Sequence, residues 1–448
     1  MKNILLFCSL FCASHVMSQS LDDAFAAARK QNKIVLIVVK SASCTQCNEV
    51  AEQGLSGSIA RRAIDASAVM VKVDKLPEVF NDPYSLYFIP AEFFGVIYAD
   101  ADKNVLQLFN GSSTSYHIYL DDLDKAIKEK DSGTENMAAL VNDYYGKRGG
   151  FETDMKLIGK ILAAGLEPKD EVIDELVRAA PQDSAASLTF LQFVERAAPS
   201  IGSAAHAYTV KNLDNYNMSW YRMGTQERSH INTRSYQKSL RKAIAAKDMS
   251  AIYRLSASRQ RMYQSSGPAE IQRVGQETLL QYYKGVKDSS NYIARAIVYY
   301  DTYFMTLSVD SIKKTDSAKS AFIIRPPADL PRAGQGAIVQ TRTVAVMPRA
   351  TYYASALNEG AWTFYTWTKS PIHLSKALLW ARRSVDFLEL PESMDTYARL
   401  LYVTHNTSAA IEWETRAIAA LKERNRGAET YEKVLAAMKK GAVKIDEY

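Results

Sequence analysis

The chain has 448 residues, more than one ordinary core organises, so two to three domains of roughly 100–200 residues each are expected. Hydrophobic residues make up 47% and charged residues 23%, the balance of a soluble globular protein rather than a disordered or fibrous one. The net charge of +6 is spread without a long basic run, which fits a solvated surface and argues against a nucleic-acid groove.

Residues 1–18 read as an export signal. Lys2 supplies a short positive start, Ile4 to Ala13 form an apolar stretch, and Val16-Met17-Ser18 resembles a small-x-small cleavage site. The apolar run is shorter than the ~20 residues a membrane span needs, so no integral span is expected in the mature chain. Phe7 and Phe11 precede Cys8 and Cys12, where a lipobox wants a small residue. The mature protein is expected to begin at Gln19 and to be periplasmic or secreted.

Of the four cysteines, Cys8 and Cys12 leave with the signal, so only Cys44 and Cys47 remain. One isolated CxxC is no disulfide framework, and structural zinc would need two further ligands that neither a second CxxC nor a nearby His supplies. No metal or cofactor is expected. Redox chemistry is the better reading of the pair.

In chain order, Ser20 to Asp23 form a capping box for a helix carrying Leu21, Ala24, Phe25 and Ala28 on one face. Lys33 to Val39 is a short, continuous, β-branched run that suits a strand buried on both faces. The CxxC follows and opens a polar helical stretch to about Ile64. Ala68 to Asp74 is a second strand, and Ile89-Pro90 leads into a third over Glu92–Tyr98. Asp100 to Asn104 turn into a fourth over Val105–Phe109, and Leu120, Leu123 and Ile127 mark a closing helix. The acidic turn is not a calcium loop, because the sixth and twelfth positions carry Val105 and Gly111 instead of Gly and Glu. A hairpin turn is expected there.

From about Glu135 strand-like runs vanish and apolar residues recur at helical spacing, as in Met155, Ile158, Ile161 and Leu162. Residues 322–350, with Pro326-Pro327, Pro331, Gly334 and Gly336, read as an irregular connection. Helical texture resumes at Thr351. The stretch Ala377–Val385 is echoed 33 residues later by Ala410–Ile418, with Trp380/Trp413 and Arg383/Arg416 in register. That period suggests stacked helix pairs, with both tryptophans packed inward.

Residues 20–130 resemble the thioredoxin family. A strand runs into the CxxC, the CxxC opens a helix, Ile89-Pro90 falls where that family has a cis-proline, and a hairpin and helix follow. The sub-type resembles exported bacterial thioredoxin-like proteins with helical extensions, and 351–440 resembles tetratricopeptide repeats. The resemblance implies an α/β thioredoxin-like domain over 19–132, a helical region over 133–321, and tetratricopeptide-like helical repeats over 351–448. It also implies that Cys44 and Cys47 form a reversible disulfide, and that cis-Pro90 stands beside the pair, where Ile89 and Pro90 offer backbone to a substrate strand. Two features depart from the family: Ser43 and Thr45-Gln46 replace the usual Trp and Gly-Pro, and Val38 stands where a buried carboxylate is usual.

Cys44 lies ahead of the helix, where unpaired N–H groups and the helix dipole favour a thiolate, so it is the expected nucleophile. Cys47, one turn on and expected beneath it, would resolve the mixed disulfide. The expected function is a periplasmic thiol-disulfide oxidoreductase acting on protein thiols and disulfides, served by a redox partner protein, with the helical region recruiting partners. The rival is a redox-inactive adaptor whose helical repeats bind proteins.

Overall fold

The computed structural model describes residues 20–41, 44–80, 86–90, 93–133, 136–147, 150–323, 348–424 and 426–445. The expected signal segment and most of the expected connection over 322–350 lie outside these. The chain divides into two compact units between Ser235 and Tyr236.

The first unit opens with α1 (Leu21–Gln31), capped by Ser20, whose hydroxyl accepts the Asp23 N–H at 3.2 Å. Then follow β1 (Ile34–Val39), α2 (Thr45–Ser56), α3 (Ser58–Ser67), β2 (Ala68–Val73), β3 (Tyr87–Phe88), β4 (Gly95–Ala99), β5 (Val105–Asn110) and α4 (Tyr116–Lys130). Four strands form one sheet in the order β2-β1-β4-β5, with β1 and β2 parallel and the other pairs antiparallel. The expected α/β succession is present. The expected third strand starts late, at Gly95, whose φ of 140° and approach to Phe109 O (2.1 Å from an added Cβ) exclude a side chain. The acidic turn forms as expected, with Asp100 accepting the N–H groups of Asp102 and Asn104 at 2.8 and 2.9 Å.

All six β1 residues are buried, and successive side chains point to opposite faces. Ile34, Leu36 and Val38 pack with Leu55 of α2, Ile64 of α3 and Tyr119 and Leu123 of α4. Val35, Ile37 and Val39 face the other way, toward Ala24, Phe25 and Ala28 of α1. A single helix of 11 residues does not fill that face. The core on that side continues into α5 (Met137–Tyr145), α6 (Phe151–Ala163), α7 (Asp170–Ala179), α9 (Leu188–Arg196) and α10 (Ala204–Thr209), through residues such as Leu140, Leu157, Ile161, Ile173, Leu176 and Phe190, while α8 (Gln182–Ala185) buries none of its residues.

The boundary expected at 132/133 is therefore not where the packing divides. Backbone bonds stitch the later helices to the sheet: Leu108 N–H on β5 donates to Ala164 O at 2.8 Å, and β6 (Glu167–Pro168) pairs antiparallel with β3. Glu129 of α4 accepts Met137 N–H at 2.7 Å and Lys160 Nζ at 2.6 Å, tying the closing helix to α5 and α6. α11 (Leu213–Arg222) and α12 (Thr225–Ala246) follow.

The second unit is all helical among the described residues: α13 (Met249–Met262), α14 (Pro268–Gly285), α15 (Ser289–Tyr303), α16 (Val309–Ile323), α17 (Arg349–Trp367), α18 (Pro371–Phe387), α19 (Pro391–Val403), α20 (Thr407–Glu423) and α21 (Glu429–Lys439). From α17 onward each helix packs on the next. The 33-residue echo is kept in small residues, since Ala377/Ala410 and Ser384/Ala417 are all fully buried. It is not kept in the tryptophans. Trp380 is fully buried against Tyr300 and Phe364, and its indole N–H donates to Asp301 at 3.0 Å. Trp413 is half-buried, edge-on to Tyr397, with the Arg416 guanidinium 3.9 Å from its ring centroid. The expected equivalence fails because the small-residue seam fixes helix approach while the neighbours that meet each indole differ.

The echo also places fully buried Glu414 where the first copy has Ala381. Asp395 and Arg399, bonded to each other at 2.8 Å, are buried beside it. Burial, and then the negative charge of Asp395, hold the Glu414 carboxyl well above the usual carboxylate range, against the opposing pull of Arg399.

Two expectations follow from this packing. Residues 20–132 alone would expose a face whose large side chains each contribute roughly 1.5–3 kcal/mol on burial, so losing several exceeds a net stability of about 5–15 kcal/mol. Residues 20–132 should show no cooperative thermal transition, whereas 20–247 should unfold cooperatively. A sharp transition in the shorter chain would mean that one covered face suffices. For Glu414, a raised native pKa means that proton binding stabilises the fold. That stabilisation is complete below the ordinary carboxylate range and is lost as pH climbs toward the raised value. Four of the five tryptophans lie in the second unit, so fluorescence-detected melting reports it. Its midpoint should fall with rising pH in the wild type and fall less steeply in Glu414→Gln.

Candidate active site

The site is built where β1 hands the chain to α2. Lys40 N–H still pairs with Val73 O at 2.9 Å, and the Lys40 ammonium meets Asp74 at 2.9 Å. Cys44 is the N-cap of α2, and its sulfur accepts the Cys47 N–H at 3.1 Å. The same N–H also reaches the Cys44 carbonyl at 3.1 Å, so the donor is shared between the cap's sulfur and its backbone oxygen, at the positive end of the helix dipole. The two cysteines are joined as a disulfide with Cα atoms 5.3 Å apart.

Both cysteines are half-buried, so Cys47 is not hidden beneath an exposed Cys44 as expected. They occupy the N-cap and third positions of one turn, and a disulfide across that turn keeps their exposures similar. The distinction between them is the hydrogen bond, which is received by Cys44.

α2 is held close to the domain by a glycine. A Cβ on Gly54 would lie 2.3 Å from Ser113 O and 2.6 Å from the Tyr119 ring. Tyr119 in turn fixes Ser113, accepting its N–H at 2.9 Å and donating to its carbonyl at 3.1 Å. Val38, 7% exposed, pairs in register with Lys72 of β2. The Lys72 ammonium forms an ion pair with Glu52 of α2.

For the other two candidate residues the expected cis bond is not found. No cis peptide bond occurs among the described residues, so the Ile89–Pro90 bond is trans, not cis. Phe93 N–H donates to Pro90 O at 2.9 Å, and β4 begins only at Gly95. Trans is the intrinsic preference of such a bond by about 0.5–1 kcal/mol. The Ile89 side chain is buried on the sheet face opposite α2, so only its backbone is left to meet a substrate. Pro90 is half-buried. The preceding strand is already partnered: Tyr87 and Phe88 pair with Pro168 and Glu167, and Lys169 N–H donates to Leu86 O at 2.9 Å.

Sequence reading missed two parts of this neighbourhood. β3 and β6 are two residues each, too short to show any alternation. Asn48 binds the Ser41 backbone with both ends of its amide, at 2.7 and 3.0 Å. Its only signal is its type, since Asn in a first helical turn commonly bonds nearby backbone.

A disulfide at a helix N-cap, following an inner strand of a four-stranded mixed sheet, defines a thioredoxin-like redox site. Residues 16–112 match the model of a family described as thioredoxin-like, a little over a fifth of the chain. That stretch is thioredoxin-like. No curated protein and no solved structure matches the chain.

The capped sulfur predicts an order of reaction. In the protein reduced with a phosphine, iodoacetamide near neutral pH should label Cys44 well before Cys47 in a timed mass-spectrometric assay. Equal or inverted labelling would remove Cys44 as the nucleophile.

Proposed function

We propose that this chain is an exported thiol-disulfide oxidoreductase acting on protein substrates in the periplasm, with its second, helical unit recruiting partners through tetratricopeptide-like repeats. The observation that carries the reading is the Cys47 N–H donated to Cys44 Sγ at 3.1 Å in a chain with no other cysteine beyond the export signal. The reduced Cys44 thiolate attacks a substrate disulfide. One S–S bond forms between Cys44 and substrate as the substrate's own breaks, and the displaced thiolate takes up a proton. The Cys47 thiolate then attacks Cys44 Sγ and releases the second substrate thiol. The substrate gains two electrons and the chain keeps the Cys44–Cys47 disulfide. A partner dithiol returns it to the reduced form, and the same steps run in reverse oxidise a substrate dithiol. Ile89 and Pro90 offer backbone to the substrate strand in this scheme.

The test uses the full mature chain with insulin as model disulfide and a thiol donor as reductant. Wild type should accelerate reduction, Cys44→Ser should abolish the acceleration, and Cys47→Ser should accumulate mixed disulfides with periplasmic proteins. An inert wild type that still captures proteins without a disulfide link supports the adaptor reading instead.

A further inference from the structure

We propose that Asn48 is a positioning residue for Cys44, clamping the strand-to-helix connection so that the sulfur stays over its N–H donor when the disulfide is open. This deepens the redox reading above and rests on it.

Asn48 follows Cys47 directly and lies four residues beyond Cys44. Residues four apart on a helix share a face, so Asn48 stands on the side of α2 from which the connection to β1 departs. Its Oδ1 accepts the Ser41 N–H at 2.7 Å and its Nδ2 donates to the Ser41 carbonyl at 3.0 Å. One side-chain amide thus makes both bonds that a neighbouring peptide would make. β1 ends at Val39, and Lys40 N–H makes a further bond to Val73 O at 2.9 Å. Asn48 carries the order one residue further, to Ser41, three residues short of the nucleophile.

The consequence appears in the reduced protein. The contact between Cys47 N–H and Cys44 Sγ at 3.1 Å requires the N-cap to keep its place against the first turn. In the oxidised form the disulfide enforces that place. Once the S–S bond opens, the amide clamp still ties the connection to the helix, because neither of its bonds involves a cysteine. A thiolate held over a helix N-terminus is stabilised, and one free to swing away is not. Asn48 touches no reacting atom and acts through the backbone it holds.

The experiment is the pH dependence of Cys44 alkylation by iodoacetamide in the full reduced chain, with melting measured in parallel. In Asn48→Ala the Cys44 midpoint should rise by about one pH unit, slowing alkylation roughly ten-fold at a pH below both midpoints. Asn48→Asp keeps the shape but sets a carboxylate against the Ser41 carbonyl and adds a negative charge near Cys44, so its midpoint should rise further. A merely structural side chain would change the melting temperature and leave the midpoints alone. Unmoved midpoints in folded variants overturn the proposal. A measurement needing no variant is hydrogen exchange in the reduced wild type: a protected Ser41 amide supports the clamp, and one exchanging at the free rate overturns it. If the wild type fails to reduce insulin, the redox reading falls, and the thiol midpoints still decide the role of Asn48.

Discussion

Everything in the first unit depends on β1 being buried on both faces. Ile34 to Val39 are six consecutive apolar residues, and a strand alternates its side chains, so the sheet cannot leave either side to water. One face is met by α2, α3 and α4, the other by α1, in a core that continues through α5, α6, α7, α9 and α10. The helices after residue 132 are therefore part of the redox unit's core. The same demand explains the stitching at its edges, where Ala164 takes the outward N–H of Leu108 and Glu167–Pro168 pairs with Tyr87–Phe88. An edge strand with free backbone groups is a template for unwanted pairing, and the chain covers its own.

The site inherits its geometry from that arrangement. α2 lies across one covered face, and Gly54 lets it approach Ser113 and Tyr119 more closely than any side chain would allow. The helix start then presents its N–H groups at the end of β1, and Cys44 occupies the cap position. The residues that tune the pair are polar contacts between main chain and side chain rather than a buried acid on the strand. Val38 keeps that strand position apolar, and the Lys72–Glu52 pair ties β2 to α2 at the surface. The loop before β4 is anchored from the helical segment by the β3–β6 pairing, so redox site and helices are covalently distant but physically continuous.

The second unit obeys a different constraint. Its helices approach through small residues at a 33-residue spacing, and the volume left over is filled by whatever the neighbouring helices bring. Trp380 meets an aromatic cluster and the Asp301 carboxylate, whereas Trp413 meets Tyr397 and Arg416. Glu414 occupies a seam position that the first copy fills with Ala381, and burial beside the Asp395–Arg399 ion pair holds its carboxyl toward the protonated form. Removing a single charged partner from such a group costs more than the group contributes.

Much of this was legible from local pattern. The continuous apolar run of β1, the Ser20 cap, the acidic hairpin turn and the Cys44–Cys47 spacing are each decided by neighbours a few residues apart, and local sequence carries that information. The Ala377/Ala410 and Ser384/Ala417 register is likewise a spacing, and both pairs are buried. What local pattern could not carry was which distant surface covers a given face. Val35, Ile37 and Val39 announce that they need a cover but not that the core they join extends to Leu157, Ile173 and Phe190. The trans isomer at Pro90 and the close approach of Gly95 to Phe109 are likewise not local signals. The exposure of Cys47 and the grip of Asn48 on Ser41 are matters of which groups meet in space. By itself the sequence determined a dithiol at a helix start after a doubly buried strand. The tertiary structure alone decided what surrounds it, because burial and hydrogen bonding are satisfied between segments far apart in the chain.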